Sequence, residues 1–403
     1  MFPRTRFPSF SGHYTEKSLH DAVLELKSGL SRMFSDSDIG LPVIRSNNIK
    51  DYCLDFNELK YWFEEDPQGA TTSNYYLRDG DILVNFINSQ AQIGKSAIYY
   101  NALNRDCIYT TNILALHINK EHSPEFIFFF FQTKKYDNYI QSITKPAVNQ
   151  ASFTTKDFRK MKIFFPDLAE QTKIANFLCS IDEKIALLNK QYGLLCQYKK
   201  GIMQKIFSQE VRFKDESGEE FPEWDFISAG KLFENSSNKK HKGDLPILAV
   251  TQENGVVNRD SINIDIKSSQ ESINSYKIID KGDFVISLRS FQGGIEHSSL
   301  QGLCSPAYTV LKNVKPIIDG FYRFYLKKDS FIEELSQTVV GIRDGKQISY
   351  KAFSILELPY PSLPEQKKIS DFLFSLDDKI AVKKAEIDKL KTWKQGLLQQ
   401  MFV

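Results

Sequence analysis

Hydrophobic and polar positions follow the same pattern in two long stretches of the chain, residues 166–207 and 361–402. The two stretches align without a gap at a constant offset of 195 residues, and 18 of the 42 aligned positions are identical. Apolar residues recur along both at alternating steps of three and four, which is the spacing of a coiled-coil seam. Pro166 and Pro361 stand at the start of the two stretches, where a helix tolerates proline. The pattern predicts two long helices of one kind.

The predicted seam consists of apolar residues on one face of each helix. These residues are Ile174, Phe177, Ile181, Ile185, Leu195 and Ile202 in the first helix, and Ile369, Phe372, Leu376, Ile380, Ile387, Leu390 and Leu397 in the second. Each seam also contains a lysine, Lys199 or Lys394. Because apolar surface favours burial, we expect the two helices to pack on each other within one chain. The alternative is two separate amphipathic helices, each covering its own globular domain.

Short runs with the pattern of β-strands precede each long helix. In the first variable segment they lie at residues 41–45, 81–87, 96–100, 113–118 and 160–166, and a helix is predicted at 125–143. The second segment repeats this order, with apolar runs at 245–250 and 278–290, a helix at 320–337 and a closing run at 348–361. Matching Gly-Asp turns at residues 80–81 and 282–283 support the correspondence.

The repeat divides the chain into four parts. We predict a first variable domain at 1–165, a central repeated helix at 166–207, a second variable domain at 208–360 and a C-terminal repeated helix at 361–403. The predicted fold class is α/β (α+β), with two mixed domains that have β-rich cores. The two helices are alike in sequence, whereas the two domains agree in pattern but little in residues. That divergence suggests that the two domains read two different things.

Composition indicates an ordinary soluble globular protein. The chain has 403 residues, of which 41% are hydrophobic and 25% charged, and its net charge is +2. Binding to nucleic acid would therefore depend on local patches. Five cysteines form no C-x-x-C pair and six histidines show no metal-ligand spacing, so neither a disulfide framework nor a zinc site is predicted. No apolar run is long enough to cross a bilayer, and we expect a cytosolic protein.

Catalytic motifs are incomplete in this sequence. Residues 93–96, Ile-Gly-Lys-Ser, end like a phosphate-binding loop, but Ser89 stands where the motif needs glycine. Pro166-Asp167 followed by Glu170 is similar to a nuclease motif, which Gln171 and Thr172 interrupt. There is neither an Asn/Asp-Pro-Pro-Tyr element nor the Gly-rich turn of adenine methyltransferases. We expect a chain without catalytic residues and without a metal.

The chain closely resembles the specificity subunit of a type I restriction–modification system. The resemblance rests on two blocks of the form P-x-L-x-E-Q-x-K-I-x-x-F-L-x-S-[IL]-D-x-K-I-A at residues 166–186 and 361–381. The FPEW segment at 221–224 and the SPAYTVL run at 305–311 add to it. It implies two target recognition domains, each reading one half of a bipartite, asymmetric double-stranded DNA site. The helices would form an antiparallel intramolecular coiled coil that sets the distance between them.

The resemblance also implies partners and cofactors. Two methyltransferase subunits would dock on the helical frame, and two restriction–translocation subunits would join them. S-adenosylmethionine, ATP and Mg²⁺ would be used by those partner subunits to methylate adenine or cleave DNA. This chain would bind no cofactor of its own.

Polar loops beside the predicted strands are the candidates for DNA contact. Base edges are read by Arg, Asn, Gln and Ser, and phosphates are bound by Lys, Arg and backbone N–H groups. The candidates in the first segment are Arg45, Ser46, Asn47, Asn88, Gln90, Gln92, Lys95, Asn149 and Gln150. Those in the second segment are Gln252, Asn254, Arg289, Ser290, Gln292, Gly293, Arg343, Lys346 and Gln347. Arg289 and Arg343 are the strongest single candidates, because arginine to guanine is the commonest specific contact.

Two other functions fit the same pattern. One is a specificity module of a related system whose methyltransferase and nuclease are fused in one partner chain. The other is a coiled-coil adaptor that binds only protein. The matched polar loops argue against the adaptor.

Overall fold

A computed structural model of the protein describes residues 3–146, 150–252, 254–262, 270–288, 290–338 and 348–402. The chain forms two compact units. The first comprises Met1–Asn189 and Ala385–Val403, and the second comprises Lys190–Lys384. Each unit therefore combines one variable segment with part of each long helix.

The strands are short and are distributed over both units. The first unit contains β1 (Thr15–Ser18), β2 (Val23–Ser28), β3 (Leu41–Ile44), β4 (Ile49–Lys50), β5 (Cys53–Leu54), β6 (Lys60–Trp62), β7 (Ile82–Asn85), β8 (Ile87–Asn88), β9 (Ser96–Ile98), β10 (Ile108–Tyr109), β11 (Ile113–Ile118), β12 (Lys145–Pro146), β13 (Ala151–Ser152) and β14 (Lys162–Phe165). The second contains β15 (Asp225–Ser228), β16 (Phe233–Ser236), β17 (Leu248–Thr251), β18 (Gly255–Asn258), β19 (Lys277–Ile279), β20 (Phe284–Ile286), β21 (Glu296–His297), β22 (Gly302–Cys304), β23 (Thr309–Asn313) and β24 (Glu357–Tyr360).

Two helices are much longer than the others. The α-helices are α1 (Leu19–Ala22), α2 (Pro124–Phe130), α3 (Lys134–Ile143), α4 (Thr155–Arg159), α5 (Leu168–Phe207), α6 (Ala229–Leu232), α7 (Gln270–Asn274), α8 (Ser290–Gly293), α9 (Asp319–Tyr325), α10 (Asp329–Gln337), α11 (Tyr350–Ser354) and α12 (Leu363–Met401). Single 3-10 turns lie at Ser46–Asn48, Thr72–Tyr75 and Arg259–Ser261. The two repeated helices predicted from the sequence are α5 and α12.

A four-stranded antiparallel sheet lies at the centre of each unit. Its strand order is β2–β11–β7–β9 in the first unit and β16–β23–β20–β21 in the second. Side chains of a strand alternate between the two faces of the sheet. In β7, Ile82 and Val84 enter the cluster that packs on the helices, while Leu83 enters a second cluster on the other face. The mixed fold with β-rich cores predicted for both segments is confirmed.

The predicted helix at 125–143 is wrong in one respect, because the segment forms two helices. Helix α2 ends at Phe130 and α3 begins at Lys134. Between them the Thr133 hydroxyl donates to the Phe130 carbonyl at 2.7 Å and accepts from the Tyr136 N–H at 3.4 Å. A threonine that caps a new helix ends the previous one. The segment at 320–337 is also divided, into α9 and α10, although Lys328 at the start of α10 forms no side-chain cap.

The two long helices run antiparallel within each unit. In the first unit Phe126 contacts both Phe165, just before α5, and Phe402, just after α12, at centroid distances of 6.0 and 4.8 Å. Further along α5, Asp182 pairs with Lys394 of α12 at 2.7 Å. The beginning of one helix therefore lies beside the end of the other, as the predicted antiparallel coiled coil requires.

The second unit repeats this arrangement with the helices exchanged. The end of α5 reaches Phe321 through Phe207, at 5.5 Å between ring centroids. Gln366, near the beginning of α12, accepts the Ile318 N–H at 2.9 Å. Lys199 and Asp377 form the corresponding ion pair at 2.5 Å.

Most of the predicted seam is covered by these contacts. Fully buried seam residues are Ile174, Ile181, Ile369, Leu376 and Ile387. Partly buried ones that pack on a core are Phe177, Ile185, Ile202, Phe372, Leu390 and Leu397. Leu195 and Ile380 are half-buried. The stripe omitted three fully buried leucines, Leu178, Leu373 and Leu398, because both recognition segments also pack on the helices.

Candidate nucleic-acid interface

Five of the predicted DNA-contacting residues line one cavity of the first unit. Arg45, Ser46, Asn47, Asn88 and Gln92 come from two separate loops and border a cavity of about 600 Å³. We call this cavity the polar groove. Its described lining also includes Arg32 and Lys50 but no carboxylate. Cations, amides and hydroxyls are the groups that contact phosphates and base edges.

The first wall of the polar groove is the segment that follows β3. The Arg45 N–H donates to the Asn48 side-chain oxygen at 2.9 Å, which closes the turn at Ser46–Asn48. Asn48 is buried, and its amide donates to the Asp55 carbonyl at 2.9 Å. The Arg45 guanidinium donates to the Glu58 carbonyl at 2.9 Å, while its Nε is buried without a partner in the described part of the chain. These hydrogen bonds within the segment fix the first wall, and the Arg45 Nε–H remains an unused donor.

The second wall is the loop between β7 and β9. The Gly94 N–H donates to the Asn85 carbonyl at 2.7 Å, and the Tyr136 hydroxyl donates to the Gly94 carbonyl at 2.6 Å. Gly94 has φ +77°, and a Cβ there would lie 2.7 Å from Ile140 Cγ2. Only glycine fits this conformation and space. The loop is thus fixed at its base by α3 while its polar side chains remain outside.

The residues of this loop do not all face the same way. Gln90 and Lys95 line a different cavity, of about 530 Å³, together with Tyr52 and Asp137. Gln150 is exposed and precedes β13, in which Ala151 lies opposite Asn88. Asn149 lies outside the described residues. The structure therefore brings Asn88 and Gln92 to the polar groove and leaves Gln90, Lys95 and Gln150 elsewhere.

The matching loops of the second unit also meet. The Gln252 amide donates to the Gln292 side-chain oxygen at 3.5 Å, and a Cβ on Gly293 would lie 2.9 Å from Gln252 Cγ. Asn254 is exposed, and its N–H donates to the Thr251 hydroxyl at 3.0 Å. These residues form a second polar surface on the same element pair as in the first unit.

One residue predicted to contact DNA in the second unit has an internal role. Ser290 is 1% exposed, and its hydroxyl accepts the Ser287 N–H at 2.9 Å. In this conformation it is not accessible to a base. Arg289, Arg343, Lys346 and Gln347 lie outside the described residues.

Two cations of the polar groove were missed by sequence reasoning. Arg32 binds Asp66 at 2.5 Å, and this hydrogen bond holds the pKa of the Asp66 carboxyl well below its usual range. Lys50 binds Asp55 at 2.6 Å and lowers the pKa of that carboxyl. Arg32 meets Asp66 across 34 residues of sequence, a contact that no local pattern reveals, and a single lysine at position 50 gave no signal of its own.

A turn opposite the cations completes the lining. Thr110, Thr111 and Asn112 connect β10 to β11 and border the polar groove. A Thr-Thr-Asn run between two apolar strands is a usable sequence signal, because these residues favour turns. It was not among the predicted contacts.

Buried carboxylates support the frame below the loops in both units. Asp81 accepts the Arg78 N–H at 2.8 Å and Asp283 accepts the Asp280 N–H at 2.8 Å. Burial raises the pKa of both carboxyls. The predicted Gly-Asp correspondence therefore marks the same turn in each unit, with Gly80 and Gly282 at positive φ.

Neither a metal site nor a membrane helix is found in the part of the chain that the structure describes. No group of three or more His, Cys, Asp or Glu side chains there could hold a metal ion. None of the described helices is both long and apolar enough to span a bilayer.

Comparison with known proteins identifies a family. The model of the type I restriction modification DNA specificity domain matches residues 39–195 and 224–392. A putative type I restriction enzyme MjaX specificity subunit of Methanocaldococcus jannaschii is 29% identical, over 98% of this chain and 94% of that protein. The MjaVIII specificity subunit of the same organism is 27% identical, over 81% of this chain and 83% of its own length.

Solved structures show the same fold. The S subunit of a type I restriction–modification system from M. genitalium aligns with a TM-score of 0.59 at 16% identity, over 100% of this chain and 99% of that one. A chain from a study of complex assembly and conformational transition of the type I system aligns with a TM-score of 0.55 at 16% identity, over 98% of both chains. The family model covers most of the sequence and both recognition segments. The chain therefore belongs to the DNA specificity subunits of type I restriction–modification systems, the non-catalytic components of those complexes.

Proposed function

We propose that each unit reads one half of a bipartite, asymmetric DNA site and that the chain thereby directs its partners to that site. The observation that carries this proposal is the polar groove, where Arg45 and Asn47 line one cavity with Gln92, which comes from a separate loop later in the chain. Its cations suit phosphates, and its amides suit base edges. The contact between Gln252 and Gln292 supports a second reading surface with different side chains.

The partners in this proposal are two methyltransferase subunits and two restriction–translocation subunits. Apolar side chains exposed on the long helices, such as Leu187 at 63% and Val382 at 67%, support docking of other proteins on the frame. S-adenosylmethionine, ATP and Mg²⁺ serve the chemistry of the partners, and this chain contributes recognition. We place the complex in the cytoplasm, where it meets DNA.

Exchange of one unit tests the two-reader proposal. The full chain is assembled with its methyltransferase partner, and methylated sites are mapped by single-molecule sequencing. Replacing residues 211–360 with the corresponding segment of a related subunit changes one half of the mapped site only. Replacing residues 1–165 is the matched control and changes the other half. If either exchange altered both halves, two independent readers would be excluded.

The helical frame is proposed to set the gap between the half-sites. The first helix passes from one unit to the other after Asn189, and Gly193 lies nearby. Four residues inserted in 189–197 lengthen a helix by about 6 Å. At roughly 3.4 Å per base pair this is a little under two pairs, so the mapped gap grows by one or two. An active variant with an unchanged gap would show that the frame does not measure the spacing.

A further inference from the structure

The turn at Thr110–Asn112 occupies a fixed position in the polar groove. The Thr110 N–H donates to the Ile44 carbonyl at 3.0 Å, which ties the turn to the end of β3. The Asn112 carbonyl accepts the Phe86 N–H at 3.2 Å, which ties it to the loop after β7. The turn therefore touches both walls through its backbone. Its side chains are left to line the cavity.

The polar side chains of the groove fall into two groups. Arg32, Arg45 and Lys50 are each bound internally, to Asp66, the Glu58 carbonyl and Asp55. By contrast, the side-chain amides of Asn47, Gln92 and Asn112 have no hydrogen-bond partner among the described residues. Asn112 and Gln92 are half-buried, so their donors and acceptors are partly withdrawn from water without being used.

We propose that the Thr110–Asn112 turn is a base-reading element of the first unit, acting with Asn47 and Gln92 while the three cations contact phosphates. This inference rests on the proposed function. Unpaired amides offer both a donor and an acceptor, which is what a base edge requires, and Asn or Gln binds adenine in a bidentate way. Cations that are already held in place have fixed positions and suit the repeated charge of the backbone. Asn112 is the central reader because its turn is tied to both walls, to one through Thr110 and to the other through Asn112 itself.

The test uses the full chain assembled with its methyltransferase partner and a random duplex DNA library. Bound sequences are selected for the parent, Asn112→Ala and Gln92→Ala. We expect each variant to lose discrimination at one A·T pair of one half-site by roughly 5- to 100-fold, with the other half-site unchanged. Asn138→Ala is the matched control, because Asn138 is an exposed asparagine of the same unit that lines neither cavity.

A modified base gives a second measurement. Replacing the affected adenine with 7-deazaadenine removes its N7 acceptor, so the parent loses affinity whereas Asn112→Ala shows no further loss. If Asn112→Ala does not fold, Asn112→Asp keeps the side-chain shape and removes the amide donors, and the same relaxation is expected.

Three results would contradict either the proposed function or the reading role of the turn. A parent that selects no sequence would refute the proposed function itself. A parent that selects a site, with Asn112→Ala and Asn112→Asp selecting the same site equally well, would overturn only the reading role of the turn. A uniform loss of affinity over all sequences, with unchanged preference at every base pair, would assign Asn112 to a phosphate and would also overturn it.

Discussion

The two units share one frame but differ in the residues that face the candidate DNA surfaces. The pair Asp182–Lys394 of the first unit has its counterpart in Asp377–Lys199 of the second, 195 residues away, with the helices exchanged. Gln171 and Gln366 accept a backbone N–H in equivalent places, from Ser123 and Ile318. The ion pairs join the two long helices, and the glutamines join a long helix to the start of α2 or α9. They hold both units in the same shape whatever the loops carry.

The loops of the two units carry different residues at equivalent positions. Asn112 of the first unit corresponds to Ala307 of the second, so the reading turn proposed for one unit has no amide in the other. Below the loops, the buried Asp81 is paired with His117, whereas Asp283 is paired with Lys312. Conservation of buried contacts together with variation of the groove lining is what two readers of different sequences on one frame require. The difference between the two units can be tested at four places.

The largest effect is expected at the buried glutamate that starts each long helix. Glu170 is fully buried and binds Arg6 at 2.6 and 2.7 Å and the Tyr14 hydroxyl at 3.1 Å. Glu170→Ala removes the buried carboxylate that binds the Arg6 guanidinium and should destabilise the first unit by about 3–5 kcal/mol. Hydrogen exchange of the β11 amides measures it. The double variant Arg6→Met with Glu170→Leu is the control and should be much less costly.

The matching change in the second unit should cost less. Glu365 binds Arg212 at 3.1–3.3 Å, and Trp224, which takes the place of Tyr14, donates no hydrogen bond through Nε1 within the described chain. Glu365→Ala should therefore destabilise the second unit by about 1 kcal/mol less, the worth of one hydrogen bond. Equal losses in both units would show that the Tyr14 contact adds nothing.

The next largest loss of stability is expected when the ion pair of the lysine in each seam is broken. Lys394 is 8% exposed and is bound by Asp182 and by Gln132 at 2.8 Å. Asp182→Ala leaves a buried ammonium with one neutral partner and should cost about 2–3 kcal/mol. Lys199 is more exposed, so Asp377→Ala should cost about 1 kcal/mol. Hydrogen-exchange protection of β11 and β23, compared in the two variants, measures the stability lost by each unit. A larger loss of stability for Asp377→Ala than for Asp182→Ala would contradict the prediction.

The pH effect of one buried histidine, His122, should occur in the first unit only. His122 is buried against Phe165, and burial, with a smaller contribution from Lys17, lowers its pKa. Its counterpart in the second unit is Ile317. Between the lowered folded pKa and the ordinary value of about 6.5, the unfolded chain binds more protons. Stability is therefore complete above about pH 6.5 and falls on acidification, by at most about 1.4 kcal/mol per pH unit.

Unfolding of the first unit between pH 5 and 8 measures this dependence. His122→Leu removes the titrating group, as isoleucine does in the second unit, and should flatten that part of the profile. A profile unchanged by His122→Leu would assign the acid sensitivity to other groups.

The smallest change in stability is expected from replacing a helical glycine, and it should be the same in both units. Gly201 of α5 and Gly396 of α12 occupy equivalent helical positions, and a Cβ at either would meet nothing within 4 Å. Glycine inside a helix costs about 0.5–1 kcal/mol relative to alanine. Gly201→Ala and Gly396→Ala should each stabilise its unit by that amount in thermal unfolding. Unequal gains would reveal a difference between the helices that their shared sequence hides.

Features that depend on local pattern could be predicted from the amino-acid sequence. The spacing of apolar residues identified both long helices, since a helical face repeats over a few residues. Short apolar runs located strands such as β7 and β11, and the repeated Gly-Asp dipeptide located the same turn in both units. The polar loops after these strands were found for the same reason, including Asn47 and Gln92, which line one cavity in the structure.

Individual contacts between residues that are distant in sequence depend on the tertiary structure and could not be predicted. The sequence pattern placed Glu170 in an interrupted nuclease-like motif, whereas its burial against Arg6 depends on a contact across 164 residues. The Thr133 cap divided a segment whose apolar content favoured one helix. Asn112 entered the groove because β10, β3 and β7 bring its turn between two loops from elsewhere in the chain. Local pattern specifies which face of an element is buried, whereas the partner of that face is chosen by packing over the whole unit.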